Sequence, residues 1–128
     1  AITEGVLTDL RVHINQQVKR GEVLGTLYKP DLVDLQQQFL ENRDKMAYLQ
    51  SEFDRYRNLR DADATAGKNL SKAEAELKAA RTLDQVLGAK LMQYQIDPAA
   101  LRADNLQTSI QLRAPINGTV TQVLAGSG

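Results

Sequence analysis

Apolar residues return at every seventh position through two long stretches of this chain, and that spacing leaves few folds open. In the first stretch Leu32, Phe39, Met46 and Phe53 form one series, and Leu35, Asn42, Leu49 and Tyr56 form another. In the second stretch the series are Leu70, Leu77, Asp84, Leu91 and Ala73, Ala80, Leu87, Tyr94. Heptads of this kind belong to helices that bury one narrow stripe against a partner helix. In an antiparallel hairpin the numbers of facing residues add to a constant, and the two stretches meet that condition. Leu32 pairs with Tyr94, Leu35 with Leu91, Phe39 with Leu87, Asn42 with Asp84, Met46 with Ala80, Leu49 with Leu77, Phe53 with Ala73 and Tyr56 with Leu70. The spacing predicts a coiled-coil hairpin over residues 30–97, with large side chains set against small ones at Phe53/Ala73 and Met46/Ala80.

One layer of this seam, Asn42 with Asp84, is polar. Two readings are open: it fixes the register of the seam, or both side chains lie at the seam edge and reach water. The same pairing puts the turn near residues 61–66, where Arg60 and Asp63 take the next seam positions and Ala62, Ala64 and Ala66 surround them. The seam therefore ends there. Pro30 and Pro98 mark the other end, as proline does at helix boundaries.

The flanks have a different period. Residues 1–29 carry short β-type runs, "GVLTDLRV" and "VLGTLY", with Asn15 and Gly21 at positions suited to turns with positive φ. Residues 110–128 look similar, with "IQLRAP", the turn "PING" and "TVTQVL"; residues 98–109 read as a short helical turn and linker. Laying Gly5 on Gly118 places Leu7 on Val120, Leu10 on Val123 and Val12 on Ala125. The two flanks are thus an internal repeat whose second copy stops early, at Gly128.

Composition narrows the function. Sixteen basic residues balance sixteen acidic ones, which removes the broad positive field of nucleic-acid binding. Cysteine is absent, so disulfides and thiolate metal sites are excluded. No apolar run approaches the ~18 residues of a membrane span. His13 is the sole histidine, Met46 sits in the seam and Met92 beside it, so core or flanking packing is their expected role. Ser51, Ser71, Ser109 and Ser127 lack a nucleophile elbow, and "GKNLS" lacks the strand and upstream glycine of a phosphate loop. We therefore expect no catalytic, cofactor or metal site. Arg55, Arg57 and Arg60 gather near the hairpin turn, either as a solvated face or as a docking surface.

Three stretches, "GVLTDLRVHINQQVKRGEVLGTLYKPDL", "DLVDLQQQFLENRDKM" and "LRAPINGTVTQVLAGSG", resemble the periplasmic adaptors, or membrane fusion proteins, of tripartite efflux pumps. "LMQYQIDPAAL" is similar to the heavy-metal-efflux branch. The resemblance covers essentially the whole chain and implies an α+β fold. A long antiparallel α-helical coiled-coil hairpin (30–97) is inserted between two halves of a small lipoyl-like β-domain, 1–29 and 110–128, the second half incomplete. It also implies a periplasmic, non-enzymatic subunit without a cofactor, held at the inner membrane through segments outside this chain. Its implied partners are an inner-membrane efflux transporter, an outer-membrane efflux channel and further copies in a homo-oligomeric ring. By the same resemblance the hairpin tip meets the channel, with Arg55, Leu59 and Ser71 similar in type to the family's tip Arg, Leu and Ser; the residues around the turn add Arg57, Arg60, Asp61 and Asp63 as candidate partner contacts. The stretch from Leu59 to Ser71 is longer than in the family's tip pattern. Two other readings of the residues compete: a carrier domain with a lipoyl or biotinyl group, for which Lys29 lies near the junction, and a free-standing coiled-coil scaffold.

Overall fold

The computed structural model describes residues 5–59, 61 and 64–121. The chain divides into two compact units, Ala1–Asp34 with Gln107–Gly128, and Leu35–Leu106.

The first unit is built from both ends of the chain. Strand β1 (Val6–Leu10) pairs antiparallel with β3 (Val23–Tyr28), and β3 pairs antiparallel with β4 (Ser109–Arg113), giving the order β1-β3-β4. A two-stranded ladder joins β2 (Gln17–Val18) to β5 (Gly118–Thr119). Asn15 and Gly21 make the turns with φ of 73° and 86°, as their residue types predict. Gly25 lies where a Cβ would run into the Asp9 carbonyl, next to a register shift in each ladder. Leu7, Leu27, Ile110 and Ala114 form the buried face. Further bonds lock the two ends together. Gly21 N–H donates to the Ala114 carbonyl (2.8 Å), Ala114 N–H to that of Glu22 (3.0 Å), and Arg20 N–H to Asn117 Oδ1 (2.6 Å).

The second unit is the hairpin. Helix α1 (Leu32–Leu59) has 28 residues and α2 (Ala64–Gln93) has 30, so each is ~42–45 Å long. Their pairing follows the predicted register. Leu49, Leu77 and Ala80 form one buried cluster, with Met46 and Phe53 packed against it. The Phe39 ring lies across from Gly88, where a Cβ would stand 3.7 Å from Phe39 Cε1. Along α2 the inward positions are Ala66, Leu70, Ala73, Leu77, Ala80, Asp84, Leu87 and Leu91, in unbroken heptad phase. Along α1 the phase shifts at the base, where Gln36 is fully buried and Leu35 only half so.

In the polar layer Asn42 is buried, while the Asp84 side chain is 24% exposed. Asn42 is 5% exposed and its Nδ2 donates to the Ala80 carbonyl at 2.8 Å, across the seam. This bond favours the register reading over a solvated seam edge, because a slip of one residue would take the acceptor away. Helix α2 ends in a Schellman turn. Gln95 has φ of 63°, its N–H reaches Met92 O (3.0 Å), and Ile96 N–H reaches Leu91 O (3.0 Å). Ile96 and Leu91, the residues that close such a turn by apolar contact, are 2% and 0% exposed. A 3-10 helix (Pro98–Ala100) follows, capped by Asp97, whose carboxylate accepts the Ala99 N–H at 2.9 Å. The stretch read as a short helical turn and linker thus opens with a capped 3-10 turn.

Candidate functional site: the hairpin tip

Near Leu59, α1 runs out of seam residues and the chain turns. Arg55 and Arg57 each find a carboxylate three residues earlier, the spacing that brings side chains together on a helix. Arg55 Nη2 lies 2.8 Å from Glu52 and 3.1 Å from the Tyr56 hydroxyl, with its guanidinium 4.6 Å from the Tyr56 ring centre. The hydrogen bond to Glu52, then the charges of Glu52 and Tyr56, raise the Arg55 pKa above its ordinary value. Arg57 lies 3.5 Å from Asp54 and 5.4 Å from the centre of the Phe53 ring. Both arginines are more than half exposed, so these pairs orient the guanidinium groups and add little stability.

Leu59, one turn beyond Arg55, is a large apolar side chain and 46% exposed. Beside it on the hairpin runs a cleft of about 210 Å³ lined by Tyr48, Glu52 and Tyr56 from α1 and by Asn69, Lys72 and Glu76 from α2. Tyr48 is 64% exposed there. Asp61 is exposed in the turn. Ser71 sits out of phase with the cleft-lining residues of α2, and its hydroxyl faces the Gly67 carbonyl at 3.4 Å. The structure thus brings Arg55, Leu59 and the cleft to one side of the tip and leaves Ser71 off that side. Arg60 and Asp63 lie outside the described residues.

Heptad counting on seam positions missed a second row, Gln36, Arg43, Gln50 and Arg57, which also recurs every seventh residue. Gln50 accepts from Arg81 across the hairpin at 2.6 Å, and Arg43 faces Asp84 at 3.5 Å. Long polar side chains repeating beside an apolar seam were the available signal. Elsewhere in the chain, Lys29 is 7% exposed with Nζ 3.1 Å from Asp31. Among the described residues no group of three metal-ligating side chains is found. No helix among them is long and apolar enough to cross a membrane.

Neither a protein-family profile nor a curated protein sequence matches the chain. Solved structures do. ZneB from Cupriavidus metallidurans superposes with a TM-score of 0.60 at 26% identity, over 97% of this chain and 51% of ZneB. A candidate efflux transporter from Bacteroides eggerthii gives a TM-score of 0.56 at 17% identity, over 96% of this chain and 32% of that one. MacA from Actinobacillus actinomycetemcomitans gives 0.46 at 25% identity, over 93% and 40%. The chain therefore spans about half the length of ZneB and less of the others. A two-helix hairpin with small antiparallel sheets is the architecture shared with the adaptor proteins that the sequence resembles.

Proposed function

We propose that this chain is the hairpin-bearing part of a periplasmic adaptor, a non-enzymatic subunit that bridges an inner-membrane efflux transporter to an outer-membrane channel. The observation that carries the reading is the closure of the β-part across the hairpin. β3 pairs with β4 and β2 with β5, so segments from both ends of the chain make one unit and the helices are an insertion within it. A free-standing coiled-coil scaffold has no use for that closure. The likeness to ZneB, over 97% of this chain, supports the same reading.

The hairpin acts as a strut whose turn end meets the channel. Leu59 offers an apolar contact, and the guanidinium groups of Arg55 and Arg57, held by Glu52 and Asp54, offer donors of fixed orientation. Copies of the adaptor form a ring around the transporter, in the periplasm, anchored through segments outside this chain. A lipoyl or biotinyl carrier is disfavoured by Lys29, whose buried, ion-paired amine is poorly placed for a modifying enzyme.

Photocrosslinking tests the docking. A benzophenone amino acid at Leu59 of the full-length protein, in cells, should give an adduct with an outer-membrane channel, and the same probe at Lys45, well down α1, should not. Adducts with the inner-membrane transporter alone, or equal channel adducts from both positions, would refute the tip as the contact.

A further inference from the structure

Asp84 stands in the polar layer with Oδ1 buried and without a hydrogen bond. Its neighbour across the layer, Asn42, has turned its Nδ2 to the Ala80 carbonyl. The charge that answers Asp84 is Arg43, whose Nε is 3.5 Å from Oδ1, inside ion-pair range. The same guanidinium does two further things: it lies 4.3 Å from the centre of the Phe39 ring, and its Nη1 donates to the Pro98 carbonyl at 3.2 Å. One planar group thus touches the seam, the polar layer and the 3-10 helix that returns from α2.

We infer that Arg43 is a latch that closes residues 95–105 as a strap over the base of the hairpin, and that the strap and the polar layer open together. The strap is built to hold a shape of its own. Asn105 donates to the Ala100 carbonyl (2.8 Å) and accepts the Arg102 N–H (2.7 Å), while Asp97 caps the 3-10 turn. Its inward face is apolar: Ile96 and Leu101 are 2% and 7% exposed, and Pro98 Cγ lies against the Gly88 position at 3.8 Å. Burial of Ile96 and Leu101 supplies most of what holds the strap, and the guanidinium bond to Pro98 ties its 3-10 turn to α1. Planarity matters here. A guanidinium can stack on Phe39, face a carboxylate with one edge and donate to a carbonyl with another, whereas an ammonium is a point charge and cannot make all three contacts together. Asp84 in turn holds the guanidinium in the one orientation that aims Nη1 at Pro98.

Amide hydrogen exchange in the full chain tests the inference, read on the strap amides of Ala99, Arg102 and Asn105 and on the seam amide of Leu77 as control. Arg43→Lys keeps a cation near Asp84 and should accelerate strap exchange at least tenfold while Leu77 stays at the wild-type rate. Asp84→Asn, with Arg43 intact, should accelerate the strap as well, because the guanidinium loses its orienting charge. A rise in dye binding to exposed apolar surface should accompany both, as Ile96 and Leu101 are uncovered. Wild-type strap rates in Arg43→Lys would overturn the latch. Equal acceleration of strap and seam in that variant would also overturn it, since Arg43 would then be a general stabiliser of the hairpin. Wild-type strap rates in Asp84→Asn would overturn the coupling to the polar layer.

Discussion

Phe39→Ala is the perturbation that most directly probes the seam. Phe39 is 1% exposed and among the largest fully buried side chains of the chain. Phenylalanine-to-alanine changes in cores cost about 3–5 kcal/mol, the spread depending on how far the surroundings collapse into the hole. Here collapse is hindered. Across the seam stand Leu87, already fully buried, and Gly88, which has no side chain to move inward, and the helices on either side are long and held by neighbouring layers. Loss of the ring also removes the face on which Arg43 lies, worth a further ~0.5–1 kcal/mol. The cost therefore falls near the upper end, about 4–5 kcal/mol. That is a large fraction of the ~5–15 kcal/mol typical of a domain. Phe53→Ala provides the internal comparison. Phe53 faces Ala73 in the predicted register but is only half-buried, with Arg57 over its ring, so water can fill part of the space and the cost drops to about 1–2 kcal/mol. Urea unfolding followed by helical circular dichroism, with a common slope for the variants, measures both. Equal costs at the two positions, or a cost below about 1.5 kcal/mol at Phe39, would refute the burial argument and the fixed layer opposite Gly88.

Three further outcomes are expected. Cysteines at Leu49 and Leu77 should form an intramolecular disulfide readily, since the two residues share a buried cluster and a disulfide needs Cα atoms within about 7 Å; efficient bonding of Leu49 with Leu70 instead would break the register. Gln95→Gly should raise stability by about 0.5–1 kcal/mol in the same urea assay, because Gln95 holds a left-handed φ of 63° at the Schellman turn; an unchanged or lower midpoint would count against strain there. Reversing Arg57 and Arg60 together to glutamate in the full-length protein should abolish efflux while helicity and thermal midpoint stay near wild type, whereas normal efflux would remove this arginine pair from the docking surface.

The seam was legible because a coiled coil states its geometry in its period: Leu49, Leu77 and Ala80 meet where the constant-sum pairing puts them. The turns at Asn15 and Gly21 were legible for a different reason, the steric tolerance of those two residue types for positive φ. What the period could not express is the part played by residues one step off the seam. Gln36 and Arg43 lie one step off the seam, and a two-helix pattern assigns such positions to solvent. Gln36 is nevertheless fully buried, and the Arg43 guanidinium lies between Phe39 and the carbonyl of Pro98. The residue that stops α2, Gln95, was hidden too, because a left-handed stop is usually announced by glycine or asparagine and here the bond pattern and the Leu91–Ile96 closure hold glutamine in that place. At the tip the limit is of another kind. Arg55 and Arg57 could be placed by counting, yet only side-chain geometry shows that Glu52 and Asp54 already hold them. A partner that takes Arg55 or Arg57 must therefore exchange an existing carboxylate for its own, and exposed pairs of this sort exchange at little cost. Leu59 has no such competitor: removing its apolar surface from water is a gain available only on contact. If the tip docks as proposed, docking strength should accordingly follow the size of the apolar side chain at position 59, and the arginines should govern which partner surface is accepted.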